Sequence, residues 1–269
     1  MKNLIITILS WMFLLPQTAT GRDTKKVRQE HTRNLRSMIQ SLDYAMTYSS
    51  KPRSPKQYQD ELAVITDLYG KLRLKVPQFK LEEFDRKFKE LGLESSAKKI
   101  DEFRSTVLEI FRVHQAPSRI PKLAEAKSVF REKCAQCHSG TKGFSVVDSH
   151  RSPFSYYNST IVGDESAGMR PFGIEINNDV LWSLGFYLSA KPFVNKDIRG
   201  RSPKDLWARL PKETKNKLTT SGLSLEFLSA TSNANLQAWL EKQGLGRDNL
   251  DLLRILRLAA PFVDDLPRK

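Results

Sequence analysis

Apolar residues recur at helical spacing through most of the 269-residue chain. Leu35, Met38, Ile39, Leu42, Ala45 and Met46 share one stripe, and Leu62, Ile65, Leu68, Tyr69 and Leu72 a second. Leu81, Phe84, Phe88 and Leu91 form a third, and Ala97, Ile100, Phe103, Val107, Ile110 and Phe111 a fourth. Pro52-Arg53-Ser54-Pro55, Val76-Pro77 and Gly92 punctuate them. The pattern predicts four helices in an antiparallel bundle. Further on, Leu123, Ala126, Val129 and Phe130 predict a helix running into Cys134. Ser152-Pro153 opens a short helix over PFSYYNSTIV, with proline at a favourable first position. Asn178-Asp179 starts another, striped by Val180, Leu181, Leu184 and Leu188 with Trp182, Phe186 and Tyr187 beside them. Ser202-Pro203 starts one more, and helical patterns continue through LSLEFLSA, NANLQAWLEKQG and DNLDLLRILRLAAPF. No stretch reads as a strand, and the expected fold class is all-α.

The N-terminus bears on the compartment. Met1-Lys2-Asn3 is a short basic start, Leu4 through Leu15 is apolar, Pro16 breaks the run, and Ala19-Thr20-Gly21 offers a small-residue cleavage site. That is the layout of a secretory signal peptide over residues 1–21, and the run is short for a bilayer span. An uncleaved anchor is the rival reading. No cysteine lies near the cleavage site, so a lipoprotein anchor is not expected, and no later stretch approaches the length of a transmembrane helix. The mature chain is expected to be exported, and soluble or peripherally bound to a membrane.

Export gives weight to the two cysteines, which both fall in Cys134-Ala135-Gln136-Cys137-His138. In an oxidising compartment two cysteines ordinarily pair, but two residues between them and a histidine directly after is the c-type haem attachment pattern. Thioether bonds to the two vinyl groups on one porphyrin edge need sulfurs about one helical turn apart. The next residue then offers its imidazole to the iron. A redox dithiol would want a thioredoxin-like βαβ context, which is absent. A zinc site would want two more ligands, and there is no third cysteine. The spacing therefore predicts one covalent haem c on Cys134 and Cys137, with His138 as an axial ligand.

A sixth ligand has few sources. Met38 and Met46 lie in the first helical stripe, where methionine fills core. Met169 is the only methionine after the haem motif, in the glycine- and proline-containing loop Gly168-Met169-Arg170-Pro171-Phe172-Gly173. Met/His ligation would raise the potential and suit electron transfer. The alternatives are Met169 as a loop plug and His150 as ligand, the latter in the polar stretch Asp148-Ser149-His150-Arg151. Three short helices in about 70 residues would be marginal without a cofactor to complete their core.

Residues 122–190 resemble a class I cytochrome c domain, with Phe130 and the aromatic last helix placed as that family places its terminal helix pair. Two positions depart from the family. Ala126 stands where glycine often lets those helices cross closely, so a slightly wider crossing is expected. The loop Ser139-Gly140-Thr141-Lys142-Gly143 lacks the proline whose neighbouring carbonyl often orients the haem histidine. A broader resemblance is to the exported part that precedes the membrane domain of some bacterial high-affinity iron permeases. It rests on Ala116-Pro117-Ser118-Arg119-Ile120-Pro121, Tyr156-Tyr157-Asn158-Ser159-Thr160-Ile161, Met169-Arg170-Pro171-Phe172 and Leu181-Trp182-Ser183-Leu184-Gly185-Phe186-Tyr187-Leu188. Leu225 to Ala230 and Asn235 to Leu240 add to it. The resemblance implies a helical domain over 22–118, a cytochrome c domain over 119–194 and a C-terminal helical extension over 195–269. It also implies a periplasmic location, and Tyr157 and Pro171 in the haem pocket. The permease itself is missing, with no intramembrane Arg-Glu-x-x-Glu pair, so the implied role is that of redox accessory to a separate permease.

Charge adds a partner class. The chain carries 44 basic and 30 acidic residues, a formal +14. The surplus lies on the flanks, at 20 to 14 over 22–118 and 14 to 9 over 195–269, against 9 to 7 over 119–194. It is interleaved with acids, as on an ordinary solvated surface. An exported protein has little occasion to meet nucleic acid. An anionic membrane surface or an acidic redox protein is the better match. Acids at Asp60-Glu61, Glu82-Glu83-Asp85 and Asp101-Glu102 lack the Glu-x-x-His element of a di-iron bundle, and acids in a first turn complement the helix dipole. The functional expectation is an electron carrier rather than an enzyme. The alternatives are a general respiratory carrier indifferent to iron and a haem sensor or enzyme with a labile sixth ligand.

Overall fold

The computed structural model describes residues 21–49, 55–93, 96–138, 151–164, 168–193, 201–245 and 250–268. The signal-peptide reading over residues 1–21, apart from Gly21, lies outside them, as do His150 and the loop 139–143. The described chain is all-helical, and two short backbone hydrogen bonds between Asp164 and Met169 are the nearest thing to a strand in it.

The four N-terminal stripes become α1 (Gly21–Ser49), α2 (Pro55–Arg73), α3 (Gln78–Leu93) and α4 (Ala97–Ile110). Each buries the predicted face. Met38, Ile39, Leu42 and Ala45 of α1, Ile65 and Leu72 of α2, Phe84 and Leu91 of α3, and Ile100, Phe103 and Val107 of α4 are closed to solvent or nearly so. Ser96 starts α4 by accepting a hydrogen bond from the Lys99 amide. Gly92 falls inside α3 rather than after it, near the C-terminal end where a glycine costs a helix least. α1 packs on α2 and α4, and α3 on α4.

The central helices are α5 (Leu123–Val129), which continues through a π-helical turn at Phe130–Cys134 into α6 (Ala135–His138), then α7 (Pro153–Val162) and α8 (Asn178–Ala190). α7 covers the predicted segment, with Ser152 accepting from the Ser155 amide and Pro153 in the first turn. α8 is capped by Asn177, whose Oδ1 accepts from the Asp179 amide at 2.8 Å. The π turn, which puts one extra residue into the helix ahead of Cys134, leaves no mark in the apolar periodicity.

α8 is the hub. α5 and α7 pack on it from two sides, and α13 from a third. A Cβ on Gly185 would lie 2.5 Å from the Pro153 carbonyl oxygen and 3.3 Å from the Tyr157 nitrogen, so α7 and α8 cross backbone to backbone. Beside the crossing the Tyr157 and Trp182 rings stack at 4.1 Å, with Arg36 of α1 over Tyr157. α1 is also pinned to α7 by Asn158, whose Nδ2 donates to the Arg36 carbonyl at 2.8 Å. Arg104 of α4 donates to Asp43 of α1 at 2.6 Å, both side chains buried, and lies over the Phe154 ring of α7.

The C-terminal third forms α9 (Pro203–Ala208), α10 (Lys212–Thr220), α11 (Leu225–Ala230), α12 (Asn233–Lys242) and α13 (Leu250–Leu258). A full capping box on Ser202 and Asp205 opens α9. α10, sequence KETKNKLTT, buries only Leu218, and one apolar residue makes no stripe to read. Arg257 of α13 is fully buried. It donates to Asn233 Oδ1 at 2.6 Å and to the carbonyls of Leu228 and Thr231 at 2.9 and 2.5 Å, closing the end of α11. Burial pushes its guanidinium down to about 9, still charged at neutral pH. One buried core runs from α1 through α8 to α13.

Two outcomes follow from this packing. Alanine is the better helix former at position 185 by about 1 kcal/mol. A Cβ driven into backbone costs about 1–3 kcal/mol, so Gly185→Ala should lower the denaturant midpoint rather than raise it. The second concerns Glu61 of α2, which is half-buried beside Ser41 of α1. Burial first, then the charges of Asp164 and Asp60, raise it from 4.5 to about 7 against the Ser41 hydrogen bond. Its neutral form is favoured in the fold, so the associated stability is full below pH 4.5 and lost as pH rises through 7. Midpoints measured between pH 5 and 8 should fall with pH, and Glu61→Gln should flatten that slope.

Candidate functional site

Cys134, Cys137 and His138 sit together at the end of the helical run that starts at Leu123. The three-residue step between the thiols is close to one helical turn, so both emerge on the same side of the helix. Both thiols are free, Cys134 half-buried and Cys137 exposed, and His138 is half-buried.

Cys134 rests on an apolar patch separate from the main core, made by Phe130, Tyr156, Leu184 and Leu188 with Val129, Ala135 and Tyr187 at its margin. The Phe130 and Tyr187 rings meet edge-on at 5.5 Å, joining the cysteine-bearing helix to α8. Ala126, one turn earlier, is fully buried. Lys191, just past α8, holds its ammonium 3.8 Å from the Phe130 centroid. Burial depresses that ammonium's pKa, with Cys134 opposing. Burial raises the Cys134 thiol, Lys191 opposing it and Cys137 adding to it. Among the described residues no three His, Cys, Asp or Glu side chains gather as a metal set, so a zinc site has no assembled ligands there.

Met169 is bridged to Asp164. Asp164 and Met169 exchange backbone hydrogen bonds of 2.7 Å in both directions, and Gly168 between them has φ +70. Gly163, at φ +77, lies flat against this loop; a Cβ there would come within 2.6 Å of the Met169 oxygen and the Pro171 nitrogen. Gln40 of α1 donates to the Gly163 carbonyl at 2.8 Å, so the loop is fastened to the N-terminal bundle. The Phe172 amide donates to the Thr160 carbonyl at 3.0 Å and fastens its other side to α7. Met169 itself is half-buried and packs against the main core, not the patch around Cys134, and Pro171 is exposed. Tyr157 is buried in the main core under Arg36 and against Trp182.

The structure thus brings Cys134, Cys137 and His138 to one helix end. It gives Met169 a separate anchored loop, and Tyr157 a seat at the α1–α7 junction. Lys191, Gly163 and Gln40 are neighbours that motif reading passed over. Lys191 was within reach, because 184, 187, 188 and 191 share one helical face. Gly163 and Gln40 are joined across 123 residues, and no local pattern carries that.

Comparison with protein-family models, with curated proteins and with solved structures yields no match.

The difference in exposure between the thiols sets an order of reaction. In haem-free protein at mildly alkaline pH, iodoacetamide should alkylate Cys137 first and Cys134 markedly more slowly. The two rates should converge on unfolding, as read by mass spectrometry of the peptide containing both.

Proposed function

We propose that this chain is an exported monohaem c-type cytochrome that carries single electrons, acting as redox accessory to a ferrous-iron uptake permease. The observation that carries the reading is the placement of the two thiols one turn apart on one helical run, beside an apolar patch and directly before a histidine.

The Cys134–His138 segment fits the attachment of a covalent haem, while Met169 packs against the main core. Cys134 and Cys137 would hold it by two thioether bonds, and His138 would supply an imidazole to the iron. Met169 would supply a thioether from the anchored loop. Bound there, haem would provide a one-electron iron couple, which Met/His ligation directs to electron transfer rather than small-molecule activation. The chain's own part is support. Phe130, Leu184 and Leu188 offer an apolar wall that keeps water from the attachment edge. Lys191 adds a positive charge beside Cys134, which disfavours the oxidised, more positive state of a nearby centre. The Asp164–Met169 hydrogen bonds and Gly163 would hold the thioether in place against the chain's own fluctuations. The pocket role of Tyr157 and Pro171 rests on the family resemblance alone.

The iron-uptake setting likewise rests on resemblance. Among the described residues no helix is long and apolar enough to cross a membrane.

Protein matured in an exporting host competent for covalent haem attachment should stay pigmented through denaturing electrophoresis and acid acetone. Cys134→Ala together with Cys137→Ala should abolish that stain. Loss of colour from the parent would overturn the reading. With the parent pigmented, Met169→Ala should let the reduced form bind carbon monoxide, which the parent should resist at neutral pH. Stopped-flow reduction by Fe(II) and by a quinol-oxidising complex then separates an iron-uptake role from general respiratory transfer: fast reduction by the complex alone would favour the latter.

A further inference from the structure

Among the described residues, three of the five strongly exposed large apolar side chains belong to one end of the N-terminal bundle. They are Val27 at 53%, Leu74 at 80% and Phe79 at 84% exposed. Leu74 stands in the turn after α2, Phe79 in the first turn of α3 and Val27 in the first turns of α1. Three contacts bring these parts of the bundle together. Arg73 at the end of α2 pairs with Asp85 of α3 at 2.6 Å, the rings of His31 of α1 and Phe111 after α4 lie 5.6 Å apart, and Lys80 of α3 reaches Glu109 of α4 at 3.0 Å.

The charges here are not evenly matched. Arg73 is engaged by Asp85, Lys71 by Asp67, and Lys80 by Glu83 and Glu109. Arg28, Lys75 and Arg112 are exposed and join no ion pair among the described residues; Glu30 is an exposed acid beside Arg28 in sequence.

We infer that this end of the bundle is a docking face for an anionic phospholipid surface, with Leu74 and Phe79 entering the headgroup–acyl boundary and Lys75, Arg28 and Arg112 meeting lipid phosphates. A stable protein interface takes roughly 800 Å² from each partner in well-fitted contact. Three exposed apolar side chains do not offer that, whereas a deformable lipid surface accepts them. Such a contact is weak and reversible, strengthened by each basic group within a Debye length of the membrane. It goes beyond the cytochrome reading and does not depend on it: the outcome at Cys134 and Cys137 leaves it untouched.

The test uses protein recovered after export, with its N-terminus read by mass spectrometry. It measures co-sedimentation with vesicles of phosphatidylcholine containing phosphatidylglycerol, against phosphatidylcholine alone. Binding should require phosphatidylglycerol and weaken with salt. Leu74→Ser with Phe79→Ser should reduce it about tenfold or more, and Lys75→Glu should reduce it further. Ile174→Ser, which removes a side chain 97% exposed in the loop after Phe172, should leave it unchanged. No vesicle binding by the parent, equal binding to both vesicle types, undiminished binding by the double variant, or an equal loss from Ile174→Ser would each overturn the inference.

Discussion

The crossing of α7 and α8 at Gly185 is the constraint from which the rest of the arrangement hangs. With no side chain at that point, the backbone of one helix lies on the other, 2.5 Å from where a Cβ would be. That approach holds Trp182 flat on Tyr157 and leaves the opposite face of α8 to Leu184, Tyr187 and Leu188. One helix therefore serves two purposes. Its inner face completes the main core, and its outer face makes the floor beneath Cys134.

The two halves of the candidate site are held by different parts of the chain. The cysteines and His138 ride on a helix that leans on α8 through Phe130 and Tyr187. Met169 is bridged to Asp164, and the residues on either side are fastened to α1 through Gln40 and Gly163 and to α7 through Phe172 and Thr160. The N-terminal bundle is thus more than an appendage. It supplies the anchor of the loop that the proposed function needs, and a shift of α1 would be felt at Met169.

Buried charge does the fastening between the thirds of the molecule. Arg104 ties α4 to α1 through Asp43 while covering Phe154 of α7. Arg257 closes the end of α11 and, through Asn233, whose Nδ2 donates to the Ser189 carbonyl at 3.0 Å, reaches the end of α8. Losing one member of such a group leaves the others buried and unmatched, which costs more than the pairing returns over a hydrophobic substitute. These contacts give the flanking helices a defined seat on the central ones.

Local chemistry was legible in the chain itself. The four stripes, the start of α7 at Pro153, the Ser202 cap and the close grouping of Cys134, Cys137 and His138 depend on residues within a turn or two of each other. Periodicity and capping report the stripes and helix starts directly, and the spacing of Cys134, Cys137 and His138 is read from the chain without either. The polar helix α10 and the π turn before Cys134 were not legible, because neither changes the apolar pattern. Only the tertiary structure decided that Gly185 marks a backbone contact, that Tyr157 sits under Arg36 of α1, and that Gln40 holds the loop of Met169. Each of those depends on segments far apart in the chain meeting at ångström range, and the energy of such a meeting lies in fit, which no linear pattern encodes.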